Sequence, residues 1–220
     1  MTLLKKEDLL DALDAPLENR LVVTPMLDRE RQVGAASIDL RLGPSFLRLR
    51  RTQSAALDPG KPISARLASE EVYERMEVSF GESLLLHPGD LLLGATLEYL
   101  RLPNDMGAYV IGRSSWGRLG LIVATAIMVQ PGFAGCLTLE MANEGENPLH
   151  LYPGARVAQL AVHRTDGPTK QPYRGVYDAP IGPEVAQLDG DQREIEWMRR
   201  LRTRLDEITR GPEGTVSSPQ

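Results

Sequence analysis

Short apolar runs that end in Pro-Gly steps constrain this chain more than any other feature. Ser83–Leu86 and Leu91–Ala95 flank His87-Pro88-Gly89-Asp90, and a similar unit, Leu149 to Val162, is built around Tyr152-Pro153-Gly154-Ala155. Such runs are too short for packed helices and have the length of strands. The first unit predicts a hairpin closed by its Pro-Gly turn, and the two together predict a mainly β domain, a barrel or a sandwich. A third turn, Pro131 to Gly135, leads into Cys136-Leu137-Thr138-Leu139-Glu140, whose alternation reads as a strand with Glu140 near its end.

The remaining elements fit one compact domain with an extension at one end. Leucines at 3, 4, 9, 10 and 13 with acids between them predict a short amphipathic helix that ends before Pro16. Leu21 to Pro25 reads as a short strand, and Ile38 to Leu42 as another that puts Asp39 and Arg41 on one face, in a structural salt link or a subunit contact. Residues 50–75 read as loop with some edge strand. Asp191 to Arg210 is helical, with a stripe of Met198, Leu201, Leu205 and Ile208 expected to pack on its own domain, and the polar tail 211–220 is expected to be disordered.

The chemistry is densest between Ile111 and Glu140. Arg113, Ser114, Ser115 and Arg118 lie between a β-leaning run, Met106 to Ile111, and an apolar one, Leu119 to Val129, on a connection whose backbone N–H groups are free to bind an anion. Guanidinium groups bind phosphate in a planar, bidentate way, and serine hydroxyls satisfy further oxygens.

Charge and cysteine usage exclude several classes. A net charge of −5 argues against a general nucleic-acid or membrane-surface binder, so a nucleotide would be met by a local basic pocket. Cys136 is the single cysteine, which leaves no disulfide and too few thiolates for a zinc site. His87, His150 and His163 stand in no H-x-E or P-C-x-x-C arrangement of the kind that zinc nucleobase deaminases carry. No apolar run approaches the roughly 20 residues of a membrane span, and the acidic start MTLLKKEDLLDALD is unlike a signal peptide, so a cytoplasmic protein is expected.

RSSWGRLGL, the PGFAG turn and LTLE, in that order and spacing, resemble the dCTP deaminase family, relatives of the trimeric dUTPases. The runs Ser37-Ile38-Asp39-Leu40-Arg41-Leu42-Gly43 and Pro153-Gly154-Ala155-Arg156-Val157-Ala158-Gln159-Leu160 extend the resemblance. It implies a dUTPase-like distorted, jelly-roll-like β-barrel over 1–165, with the short N-terminal helix. An arm or lid over 166–190, the added C-terminal helix over 191–210 and the tail 211–220 would follow. It also implies a homotrimer that deaminates dCTP to dUTP and ammonia without a catalytic metal, with Mg2+ carried by the triphosphate and no protein-bound zinc. Glu140 would shuttle protons, Ser114 and Arg118 would orient water and stabilise charge, and Arg113 and Ser115 would hold phosphate. Ala126, Gln130, Gln159 and Tyr173 would contact the nucleotide, Tyr173 from the arm.

Two departures bear on product and substrate. The family reads roughly GLxxHxTAGxIDPGF where this chain runs from Gly120 to Phe133, one residue shorter before Thr125 and without the histidine. Gln130 stands in place of an aspartate that, in dUTP-hydrolysing relatives, activates water. A neutral amide hydrogen-bonds a 3′-hydroxyl but is no general base. The alternatives are a deaminase for another cytosine nucleotide, or a catalytically silent nucleotide-binding regulator of the same fold.

Overall fold

The computed structural model describes residues 2–50, 56–60, 72–124, 128–175, 177 and 179–210. Two compact units divide the chain: Met1–Arg51 with Tyr73–Glu184, and Thr52–Val72 with Val185–Gln220.

The first unit is mainly β. Its strands are β1 Thr2–Leu3, β2 Val22–Thr24, β3 Ile38–Leu49, β4 Tyr73–Glu77, β5 Leu84–Leu86, β6 Leu91–Arg101, β7 Met106–Gly112, β8 Leu121–Val123, β9 Met128–Val129, β10 Ala134–Asn143, β11 Leu149–Leu151 and β12 Arg156–Arg164. Helices are α1 Lys6–Asp14, α2 Arg29–Gln32 and α3 Ser114–Gly117. Among the described residues, ten strands form a curled sheet in the order β8-β10-β6-β3-β12-β7-β9, with β2 on β6, β1 on β12 and β4 on β3. Alternation along the strands sends Leu40, Leu42, Phe46, Leu92, Leu100 and Leu139 into one core. α1 contributes Leu9 and Ala12 to it.

The Pro-Gly units pair otherwise than expected. β5 does not form a hairpin with β6; it pairs with β11, while β6 pairs with β10 and β3, and β12 with β3 and β7. Each Pro-Gly step is therefore a corner at which the chain leaves the small sheet for the large one, and the two units pair with each other through β5 and β11. Local sequence sets the turn; the partner strand is set by long-range packing.

β3 runs seven residues past the expected end at Leu42, through Gly43 and Pro44. A register shift against β6 between Leu42 and Phe46 absorbs the proline, which a regular central strand would not tolerate. The charged segment after Arg50 contributes β4, an edge strand on β3; its residues 51–55 and 61–71 lie outside the described ones.

In the second unit, α4 spans Asp189–Arg210 and is tied by Arg199 Nη1 to the Gly60 carbonyl at 3.0 Å. Met198, Leu201 and Leu205 of the expected stripe are exposed, as is Trp197. The tail 211–220 lies outside the described residues. No helix among the described residues is long and apolar enough to cross a membrane.

Gly120 closes the connection from α3 to β8 at φ +97°, and a Cβ there would lie 2.5 Å from the backbone nitrogen of Gly145. Left-handed backbone and a backbone clash act together, so Gly120→Ala is expected to lower unfolding free energy by about 3 kcal/mol in denaturant titration. An unchanged midpoint would show that this turn gives way.

Candidate nucleotide site

Arg113 follows β7 in extended backbone and opens α3, with its backbone N–H on the Val157 carbonyl at 3.0 Å. Trp116, one turn on, donates Nε1 to the Arg156 carbonyl at 2.9 Å and fixes the connection against β12. Ser114, Ser115 and Arg118 are exposed, and among the described residues their side chains have no hydrogen-bond or ion-pair partner. Three donor-bearing side chains are thus presented outward from one anchored turn.

Behind that turn lies Asp39, only 6% exposed. Its carboxylate accepts from Arg156 Nη1 at 2.9 Å and from Gln159 Nε2 at 2.9 Å, and it pairs with Arg113 Nε at 3.6 Å. The register explains the convergence, because Gln159 on β12 lies opposite Asp39 on β3 and opposite Ile111 on β7, two residues before Arg113. Arg113 is held a second time, its Nη1 donating to the Arg156 carbonyl at 3.3 Å. Two guanidiniums around one carboxylate leave a net positive charge for an anion to complete.

Glu140 belongs to a different surface. On β10, Leu139 and Met141 enter the core, so Thr138 and Glu140 point to the opposite face. Partial burial raises the Glu140 carboxyl above its ordinary range. Tyr73 shares this neighbourhood: its hydroxyl is pushed up by burial and then by the charges of Glu140 and Tyr177. The segment after β12 runs along the same strand. Tyr173 donates its backbone N–H to the Pro131 carbonyl at 2.8 Å and packs its ring 5.9 Å from that of Phe133. Cys136 N–H donates to the Pro180 carbonyl at 2.7 Å, and Glu184 N–H to Thr138 Oγ1 at 3.0 Å. Gly135 permits this approach, since a Cβ there would lie 2.4 Å from Pro180 Cδ.

The expected site residues therefore form two groups. Arg113 and Gln159 meet at Asp39, beside the turn carrying Ser114, Ser115 and Arg118. Glu140 and Tyr173 lie along β10 and its approach. Among the described residues no hydrogen bond or ion pair joins Glu140 to Ser114 or Arg118 in one protomer. Gln130 is exposed, its carbonyl closing the turn by accepting from Phe133 N–H at 3.1 Å. Ala126 lies outside the described residues. No set of three His, Cys, Asp or Glu side chains among the described residues is arranged to hold a metal ion.

Three residues near these groups escaped the sequence reading. Tyr177 stands four residues after Tyr173 in a second aromatic step. Tyr73 is the first residue of an edge strand. Glu98 is fully buried, and its signal was present: it falls in phase with Leu92 and Leu100, and so points into the core.

A family model described as dCTP deaminase-like matches residues 3–165. The chain belongs to the dCTP deaminase-like family. Among curated members, the "dCTP deaminase, dUMP-forming" of Dictyoglomus thermophilum is 40% identical over 179 residues, covering 79% of this chain and 90% of that protein. The "dCTP deaminase" of Halorubrum lacusprofundi is 42% identical over 186 residues, 82% of this chain and 90% of that protein. Among solved structures, the 2′-deoxycytidine 5′-triphosphate deaminase of Agrobacterium tumefaciens superposes with a TM-score of 0.56 at 27% identity, over 73% of this chain and 47% of that one. The dCTP deaminase-like match ends at the last strand of the curled sheet, before α4.

The Asp39 cluster gives this family member a measurable anchor. Asp39→Ala strands two partly buried guanidiniums and is expected to cost about 2 kcal/mol of unfolding free energy, below the value for a fully buried pair. Thermal and denaturant melts check this, and wild-type stability would show that the cluster carries little.

Proposed function

We propose that the protein is a cytoplasmic, homotrimeric enzyme that deaminates dCTP to dUTP and ammonia, with each site completed between protomers. The observation that carries this reading is the partly buried Glu140, raised in proton affinity, on the outward face of a strand of a dCTP deaminase-like domain. Its relatives' names supply the substrate: those proteins are dCTP deaminases.

The chemistry follows from what deamination requires. Water adds to C4 of cytosine as Glu140 takes one of its protons and delivers it to N3; Glu140 then carries the second proton, from the new C4 hydroxyl, to the amino group, and the C4–N bond breaks to release ammonia and leave C4 as a carbonyl beside N3–H. A carboxyl whose proton affinity is raised by desolvation serves in both directions near neutrality. Ser114 and Arg118 orient the water and stabilise charge, while Arg113 and Ser115 bind phosphate oxygens. Gln159, Gln130, Ala126 and Tyr173 contact the rest of the nucleotide. The outward side chains of the α3 turn support a site shared between subunits, because among the described residues of their own protomer they have no hydrogen-bond or ion-pair partner. Mg2+ fits as an ion carried on the triphosphate. Asp39, the acid of the anion cradle, is taken up by Arg156, Gln159 and Arg113, and the metal's role would be to neutralise phosphate charge.

Glu140→Gln keeps the shape and removes the proton acceptor. Ammonia release from dCTP is expected to fall at least ~1,000-fold while dCTP binding stays within a few fold. Retention of most turnover would overturn the assignment. A panel of cytosine nucleotides in the same assay separates dCTP from the substrate variant suggested by the departures at 126–130.

The relatives differ in whether their names include dUMP formation. Gln130 cannot accept a proton from water, so incubation with dUTP and Mg2+ is expected to yield no dUMP, and Gln130→Asp to gain that activity. Efficient dUMP formation by the wild type would show that another acid does this work.

A further inference from the structure

We propose that Glu98 and Gln32 are positioning residues for the anion cradle: buried behind Asp39, they hold the strand that presents its carboxylate and, through it, the guanidinium of Arg113. The inference rests on the reading of Arg113 as a phosphate ligand.

The path is continuous in hydrogen bonds. Glu98 and Gln32 are both 0% exposed. Gln32 Nε2 donates to Glu98 Oε1 at 3.0 Å and to the Asp39 carbonyl at 3.2 Å, while its Oε1 accepts from Asp28 N–H at 3.2 Å. The other carboxylate oxygen of Glu98 accepts from Arg41 N–H at 2.8 Å, two residues beyond Asp39 on β3. One buried carboxylate and one amide thus clamp the backbone on both sides of Asp39, whose side chain holds Arg113, Arg156 and Gln159.

Glu98 keeps its place because of an irregularity in β6. Thr96 Oγ1 donates to the Glu98 carbonyl at 2.7 Å and accepts from Leu137 N–H at 2.9 Å, where the β10 register shifts between Cys136 and Thr138. The charged and titratable groups facing Glu98 are Arg41 from β3 and Cys136 from β10, with the neutral amide of Gln32 from α2. Arg41 turns its Nη1 to the Gly154 carbonyl at 2.9 Å, and its buried Nε has no hydrogen-bond partner among the described residues.

These bonds suit an ionised Glu98, because each oxygen meets a donor. Burial pushes the carboxyl up to about 7, against the opposing effect of the Arg41 N–H, the Arg41 charge and Gln32. When it protonates, an O–H faces an N–H. Gln32 relieves that conflict only by turning its amide, which sets its NH2 against Asp28 N–H and gives up the Asp39 carbonyl. The sign follows. The raised carboxyl stabilises the fold in its neutral form below about 4.5, and that contribution is lost as pH rises through about 7. Ionisation therefore weakens the fold while it sets the cradle.

Inorganic sulfate, which does not titrate between pH 6 and 8, is the probe. Its dissociation constant is measured by NMR titration on full-length wild type, Glu98→Gln and Gln32→Ala, with melting temperatures recorded alongside. Wild type is expected to bind about fivefold more weakly at pH 6 than at pH 8. Glu98→Gln, neutral and carrying a donor, should bind at the weaker level at both pH values, and Gln32→Ala should lose the pH step while retaining Glu98. The wild-type pH comparison needs no variant to fold. Equal affinity at both pH values in wild type, or a wild-type step in Glu98→Gln, overturns the inference. Absence of sulfate binding at either pH overturns it together with the phosphate role of Arg113. Ammonia release from dCTP is read separately: its failure in a wild type that shows the sulfate step would remove the proposed reaction and leave this inference standing.

Discussion

Everything in the cluster behind the α3 turn depends on the carboxylate of Asp39. It lies where β3, β12 and the end of β7 come together, and its two oxygens draw in a guanidinium from the α3 turn, a guanidinium from the first residue of β12 and an amide from the middle of that strand. Each partner comes from a different point of the chain, so the ion cluster is also a statement about register. A slip of one residue on β12 would turn Gln159 to the other face and leave Asp39 against an apolar neighbour. The cluster is worth more as a locator than as a source of stability, because the desolvation of three charges offsets much of their attraction.

β10 imposes the second constraint. Its alternation commits Leu139 and Met141 to the core and leaves Thr138 and Glu140 on the far face, where the segment through Pro180 and Glu184 runs along the strand. Partial burial on that face keeps the proton affinity of the Glu140 carboxylate high. The cradle is rigid and outward-facing, whereas the Glu140 face is partly covered.

Much of this was legible in the residues. Alternation in Cys136 to Glu140 marked the strand and its acid, and the position of the Arg113 to Arg118 cluster between two apolar runs marked the connection from β7 to β8. A salt link was readable at Asp39 but not its partners: Arg113 and Arg156 lie more than seventy residues away in the chain, while Arg41, read beside it, turns to the Gly154 carbonyl. Pro-Gly steps were readable as turns and misleading as hairpins, because a turn does not specify which strand lies beside it. Alternation stops at Leu42, and a register shift lets β3 continue past it through Pro44. Glu98 was the deepest miss: its phase with Leu92 and Leu100 puts it on the core side, but it lies beyond the expected strand end at Ala95. Gln159, expected at the nucleotide, is engaged with Asp39 and Ser37 in the protomer.

The central claim is that the cradle of one protomer serves the Glu140 of another. Complementation tests it most directly, using Glu140→Gln and Arg118→Ala, each inactive alone, co-expressed and purified as mixed assemblies. If the sites are shared in a trimer, random mixing restores roughly a quarter of the wild-type sites, and dCTP deamination returns to about that level. Mixed assemblies with no more activity than either parent would place Glu140 and Arg118 in the same protomer's site and contradict the account.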